Sequence, residues 1–372
     1  MGRFFTAKGK TPDFFFIGIV VLLILFGLVM LTSASSHLGQ SRFDDPYFYL
    51  KQQVVRGLLM GLVGFLIAYF VNYQNYKKWA MTLLLISLAL MCLVFTGFGV
   101  ERGGAQRWLS LGPVTFQPAE FLKITYVLYV AAWLANARAH RHRNVYKGLI
   151  PFLIISGLVG GVLIMQPATS TVAIILGAGG VMYFVSGAPW RFIGISVLMG
   201  VVVLAGLVVV TPYRFDRVKS FVTGGADEQG GGYHITQALI AIGSGQLTGV
   251  GYGESIAKVR FLPDPMADSI FAVIAEELGF VGGAVIIILF ALLTLKIFWM
   301  ARNASDRFSQ SILIGFGVII GGQAFLHMAS ISGLLPLTGV PLPFVSYGGT
   351  ALAVFLTMTG IIANISRKPN YY

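Results

Sequence analysis

Apolar residues run through this chain in long blocks, separated by short polar interruptions. About ten blocks approach or exceed the roughly 18–20 residues that a helix needs to cross a hydrocarbon layer of about 30 Å. They predict membrane helices at about 14–33, 54–72, 79–98, 119–137, 149–165, 170–188, 192–211, 269–300, 310–334 and 348–366. The eighth block is long enough to tilt or to project beyond the bilayer. The expected fold is all-α and polytopic, with residues 1–372 as one integral membrane domain. Glycine and proline inside several blocks do not argue against spanning, because membrane helices tolerate both.

The interruptions are unequal. Residues 35–53 and 100–118 form moderate loops, and the segment 212–268, between the seventh and eighth helices, is by far the largest. Within it, Gly224–Gly232 is glycine-rich and expected to be mobile, and Ile235–Ile242 is expected to be a short helix on or dipping into the membrane. A loop of that length in a compact protein is usually functional. No internal repeat is visible, so the inverted-repeat pattern of many transporters is missing.

Composition supports the membrane class: 56% of the chain is hydrophobic and 11% charged, against about 25% charged in soluble domains. The net charge of +12 suggests nucleic acid only until the basic residues are placed. They sit in short loops, which is the topogenic pattern. Arg138, Arg141, Arg143 and Lys147 crowd one such loop, and Lys77, Lys78, Arg302, Arg307, Arg367 and Lys368 fall on the same side of a ten-span bundle. That side is cytoplasmic, with both termini inside. Of the 14 acidic residues only Asp13 and Asp306 share it, which directs attention to the outer face. Arg3, Lys8 and Lys10 precede the first block, and Ser33-Ala34-Ser35 mimics a cleavage site. The block is longer than a signal-peptide core of about 7–15 residues, so it reads as a retained first helix. The single cysteine, Cys92, gives no internal disulfide or thiolate metal site.

Three stretches carry candidate chemistry. In Phe261–Glu277, FLPDPMADSIFAVIAEE, Asp268 stands where the eighth helix begins. It suits a helix N-cap and equally a general base at a cavity mouth, since low-dielectric surroundings raise a carboxyl pKa towards useful base strength. Asp264 sits four residues earlier between Pro263 and Pro265. Glu276 and Glu277 lie two turns into the apolar helix, where carboxylates are expensive and need partners. They point about 100° apart, so they cannot both face one cavity. In Gly103–Ile124, Pro118 suits a first helical turn, and Gln117, Glu120 and Lys123 recur on one side of the fourth helix. Glu120 and Lys123 can pair with each other. Alternatively Lys123, with Arg107 from the preceding loop, can hold a phosphate or diphosphate. Arg107 suits lipid head groups equally well. In Gly333–Thr350, GLLPLTGVPLPFVSYGGT, the prolines and glycines make irregular backbone at membrane depth, tolerated only where protein or a wet cavity surrounds it. This places Ser346, Tyr347 and Gly348 among candidate substrate contacts. Lys258, Arg260, Arg214, Arg217 and Lys219 add cations to the large loop. His327, alone in the ninth helix, reads more readily as an interhelical hydrogen-bond partner than as a proton relay. Neither a nucleotide-binding glycine loop nor a histidine metal cage is present in the sequence.

Together these motifs closely resemble the SEDS family of bacterial cell-wall proteins, the group of FtsW, RodA and SpoVE. The resemblance rests on GLVMLTSASS, GAQRWLSLGPVTFQPAEFLK, YHITQALIAIGSGQLTGVGYGES, FLPDPMADSIFAVIAEELGFVG and GLLPLTGVPLPFVSYGG, in that order over nearly the whole chain. The first helix and the YFYLKQQ after it look more like FtsW than RodA. The resemblance implies a peptidoglycan glycosyltransferase that polymerises lipid II, using undecaprenyl-diphosphate-linked glycan as donor, with Asp268 matching the essential aspartate of HTDFIFA. Arg107, Gln117, Glu120 and Lys123 match the family's polar cavity, and Lys258 matches the lysine of GxSxQK. It also implies a class B penicillin-binding transpeptidase and divisome regulators as partners, and allows a divalent cation (Mg or Mn). Ala168 stands where QPDLG has an acid, His234 and Ala257 replace usual glutamines, Pro265-Met266-Ala267 replaces the residues before the aspartate, and Thr350 replaces a usual serine. A lipid-linked precursor flippase is the alternative from another class, and a RodA-type elongation polymerase the alternative within the class. The outward bias of the acids argues against the flippase.

Overall fold

The computed structural model describes residues 11–102, 105–112, 114–135, 144–211, 215–217, 219, 221 and 231–367. Arg3, Lys8, Lys10, Arg138, Arg141, Arg143, Arg214, Lys368 and most of Gly224–Gly232 lie outside the described residues.

The chain is mostly helical, and a helix covers each of the ten expected stretches. In order these are α1 (Phe14–Phe43), α2 (Phe48–Phe70), α3 (Tyr73–Leu93), α4 (Pro118–Ala135), α5 (Val145–Met165), α6 (Thr169–Val185) and α7 (Trp190–Val210). Then come α8 (Gly231–Ser244) and α9 (Ala257–Arg260) in the large loop, followed by α10 (Ile270–Arg302), α11 (Arg307–Ile331) and α12 (Gly349–Ser366). Among the described residues, seven of these helices are long and apolar enough to cross a membrane: α1, α2, α3, α5, α10, α11 and α12. α11 packs against α4, α6 and α10, and α12 packs along α2. These two are the most buried of the seven.

Three expectations change. The all-α class needs a correction, because the loop before α4 is a small antiparallel sheet, β1 (Gly99–Arg102), β2 (Ala105–Leu111) and β3 (Val114–Phe116), in that spatial order. Pairing satisfies backbone groups that an irregular loop near the bilayer would leave exposed. α1 continues through 34–43 instead of ending near 33; Asp13 caps its start, and Asp44, with φ 54°, ends it. α10 is broken rather than simply tilted. Gly279 has φ 67°, a left-handed conformation that only glycine adopts without strain. The chain after α8 crosses at that break. Val250 and Gly251 donate to the carbonyls of Glu276 and Glu277, and the amides of Phe280 and Val281 donate to Gln246 and Leu247. The break thus exposes backbone groups that the large loop satisfies, which ties the loop to the start of α10.

Candidate active site

Asp268 does not cap α10. Ser269 occupies that position, and Asp268 is one residue outside the helix. A dense set of bonds fixes the residues on either side of it instead. Ser346 Oγ donates to the Ala267 carbonyl (2.7 Å), and the Tyr347 amide donates to Met266 (2.9 Å). Gln53, from the π-type turn of α2, donates to the Ser346 carbonyl and accepts from the Gly348 amide. Ser269 Oγ donates to the Pro263 carbonyl (2.7 Å) and pairs with His234 Nε2 of α8 (2.6 Å). Ser346, Tyr347 and Gly348 therefore act as a buttress behind the aspartate in this structure.

The Asp268 carboxylate accepts no hydrogen bond from the described residues. It lines a cavity of about 30 Å³ with Arg217, His234, His327, Ser330 and Thr338. A methyl group on Gly339 would lie 3.6 Å from Asp268 Oδ2 and 3.7 Å from Arg217 Nη2, so carboxylate and guanidinium flank the same glycine. Burial, reinforced by the like charge of Asp264, raises the Asp268 pKa to about 6, while Arg217 and Arg107 oppose the rise. This is the direction expected of a carboxylate short of solvent and of direct partners. Burial also holds the His234 pKa below its usual value.

Arg107 reaches this neighbourhood through a β-bulge. Trp108 pairs with Val100 and Gln106 with Glu101, leaving Arg107 as the extra residue; bulges re-aim side chains in this way. Its Nε and Nη2 donate to the carbonyls of Gln166 (2.9 Å) and Pro167 (2.7 Å), the turn that contains the departure at Ala168. Arg217 Nη1 donates to the Leu337 carbonyl (3.0 Å). Among the described residues, these two arginines are the cations whose charge acts on Asp268.

The other expected cations are directed elsewhere. Lys123 is fully buried, donates to both Glu120 oxygens (2.8 and 2.9 Å), and donates to Gln323 Oε1 (2.8 Å). Neither Glu120 nor Lys123 lines the Asp268 cavity. The two are linked to its wall through Gln323, which donates to the Pro341 carbonyl (2.7 Å). Gln117 is half-buried and receives the Glu120 amide on its carbonyl (3.1 Å), closing the first turn of α4. Lys258 is buried and bonds Glu277 Oε1 (2.6 Å), Ser33 Oγ (2.7 Å) and the Gly253 carbonyl (2.7 Å). Glu276 accepts from Ser255 Oγ and from the amides of Ile256 and Ala257, at the start of α9. Ala257 contributes only backbone there. Asp264 is exposed and left-handed (φ 42°), and its carbonyl receives the amides of Ala267 and Ser269. In the sequence Arg217 stands only as one of several loop cations and His234 only as a departure from the family pattern. Neither carries a local pattern that points to Asp268. Among the described residues no cluster of three or more His, Cys, Asp or Glu fits a resident metal.

Fold and cavity define a multi-pass helical membrane protein with a titratable carboxylate set beside arginine at the end of its bundle. The chain belongs to the FtsW/RodA/SpoVE family, whose model, described as "Cell cycle protein", matches residues 13–371. It is 35% identical to stage V sporulation protein E of Bacillus subtilis (strain 168), over 98% of this chain and 100% of that protein. It is 37% identical to the probable peptidoglycan glycosyltransferase FtsW of Thiomicrospira cyclica, over 93% and 89% of the two chains. Among solved structures it resembles a chain from a peptidoglycan synthase complex that coordinates polymerization and crosslinking. The TM-score is 0.80 and the identity 27%, over 96% of this chain and 98% of that one. The rod shape determining protein RodA of Thermus thermophilus matches with TM-score 0.70 at 27% identity, over 97% and 98%.

Proposed function

We propose that this protein is a peptidoglycan glycosyltransferase that polymerises lipid II into β-1,4-linked strands at the outer face of the bacterial cytoplasmic membrane. In this reading α4, α6 and α7 cross together with α1, α2, α3, α5, α10, α11 and α12 to make ten spans. Both termini are then cytoplasmic, and the 212–268 loop lies outside. The observation that carries the reading is a carboxylate with its pKa raised to about 6, in a polar cavity beside Arg217.

Asp268 takes the proton of the acceptor GlcNAc 4-hydroxyl as that oxygen attacks the donor anomeric carbon. The bond to undecaprenyl diphosphate breaks with inversion. The diphosphate departs already ionised, so the leaving side needs cations rather than a protonated acid. Arg107 and Arg217 are the assigned cations, because Lys123 and Lys258 are engaged by Glu120 and Glu277. Charge stabilisation of this kind is typically worth about 100-fold or more. No described cluster fits a resident metal; Mg or Mn would arrive as a counterion carried by the diphosphate. The peptidoglycan synthase complex supports a class B penicillin-binding transpeptidase as partner. The relatives named FtsW support septal wall synthesis, with divisome regulators as further partners.

The test is lipid II polymerisation by detergent-purified protein, with its transpeptidase partner present. Asp268→Ala and Asp268→Asn should each lose at least about 100-fold in rate, the lower bound for general-base help, while eluting and melting as folded protein. Strand synthesis at the wild-type rate by Asp268→Ala would overturn the assignment.

A further inference from the structure

The cavity holds a second acceptor besides Asp268. His327 of α11 is buried, with 1% of its surface exposed, and lines the cavity. Its Nδ1 lies 2.7 Å from the Val340 carbonyl. A carbonyl only accepts, so Nδ1 carries the proton; burial without a bonded carboxylate among the described residues disfavours the charged ring, and the neutral ring leaves Nε2 as a bare acceptor. Nε2 is buried and has no protein partner among the described residues. A buried polar atom without a partner costs free energy unless something else meets it. Both residues line the same small cavity: Asp268 Oδ2 flanks Gly339, and His327 is tied to the next residue, Val340, so one sugar entering the cavity meets both walls. The cavity, at about 30 Å³, exceeds the roughly 10–15 Å³ that one water needs, which limits the entering group to about the size of a hydroxyl or hydroxymethyl.

We infer that His327 Nε2 reads a hydroxyl of the acceptor sugar, one that neighbours the hydroxyl deprotonated by Asp268. This rests on the polymerase reading and extends it from the reacting oxygen to the recognition of its neighbour. His327 is then a specificity-determining residue. The acceptor sugar must carry two adjacent hydrogen-bond donors, one for each acceptor. An acceptor lacking the second donor leaves Nε2 buried and unpaired, and this is how sites built to bond a hydroxyl reject analogues without it.

The experiment uses the full-length protein with its partner and three acceptors: lipid II, and lipid II lacking either the 3-hydroxyl or the 6-hydroxyl of its GlcNAc. Wild-type protein should prefer lipid II over one of the two deoxy acceptors by about ten-fold or more in kcat/KM. His327→Asn keeps a side-chain amide that can donate to the Val340 carbonyl but places no acceptor at the Nε2 position. Its preference should fall to near one, with kcat/KM for lipid II down about 3- to 10-fold. His327→Gln, whose carbonyl oxygen reaches the Nε2 position, should retain part of the preference, and it decides the matter if the asparagine variant does not fold. Equal use of all three acceptors by wild-type protein would overturn the inference, as would an undiminished preference in His327→Asn or, where that variant does not fold, none in His327→Gln. Wild-type protein that makes no strands from lipid II would instead sink the polymerase reading, and Asp268→Ala at the wild-type rate the role of Asp268 as base, so these failures are distinguishable from that of His327.

Discussion

Two carboxylates nine residues apart, Asp268 and Glu277, have opposite surroundings. Glu277 is fully buried in α10, with Ser33 Oγ at 2.6 and 2.8 Å and Lys258 Nζ at 2.6 Å. Lys258 is completed in turn by Ser33 and the Gly253 carbonyl. Every strong contact is made, so the cluster joins α1, α10 and the large loop and has no capacity left for substrate. Asp268 sits between residues whose backbones are tightly bonded and carries a carboxylate with no hydrogen bond from the described residues. A satisfied buried charge therefore marks structure here. A charge whose support stops at the backbone marks chemistry, because a ligand is left to complete it.

That contrast breaks if the two sites respond alike to substitution. Glu277→Ala strands the Lys258 ammonium in a buried site, and breaking a buried pair typically costs about 3–5 kcal/mol. Thermal melting in detergent should drop markedly, and activity should fall with it. Lys258→Met combined with Glu277→Gln should recover much of the melting temperature, since replacing both charges removes the stranded one. Asp268→Ala should lose activity with melting unchanged or raised. If Glu277→Ala keeps its stability yet loses all activity, the division of roles between the two carboxylates is wrong.

A smaller effect sharpens the contrast through pH. The base form of Asp268 is the ionised one, and its pKa is raised to about 6. With lipid II, kcat/KM should be flat above that pH and fall about ten-fold per unit below it. Asp264 contributes to the rise, so Asp264→Asn should move the acid limb to lower pH. A limb that stays in place would remove Asp264 from the electrostatics of the site.

The sequence was most legible where one physical effect dominates. Hydrophobic blocks located the helices because desolvating a backbone in lipid leaves little choice but helix. Asp268 stood out because a carboxylate at the start of an apolar helix is conspicuous. Partners set by packing were not legible. Lys258 looked like a substrate cation because nothing local shows that Ser33, 225 residues away, completes its site. Lys123 looked open to the cavity because Gln323 reaches it from 200 residues further on. The sheet at 99–116 was hidden for a different reason: its strands are three to seven residues long, too short for alternation to register against a helical background. The break in α10 rests on one glycine whose φ follows from the loop that crosses it.

The smallest effect tests the cost of keeping Asp268 under-satisfied. Its carboxyl pKa is raised in the folded protein, from 3.8 to about 6, so the folded state holds that proton more tightly than the unfolded chain does. Stability from this group is thus full below about 3.8, is lost as pH rises, and is gone above about 6. Asp268→Asn carries no such charge. It should melt slightly above wild type at pH 8, and the gap should narrow as pH falls to 5, while activity is lost throughout. Stabilisation gained together with lost function is the pattern of a residue retained for chemistry rather than for packing. Glu277→Gln should do the reverse and lower the melting temperature, because it removes a partner that Lys258 and Ser33 already use. Were both substitutions to stabilise the protein, Glu277 would also be held against the fold, and its cluster would have to be reconsidered as part of the site.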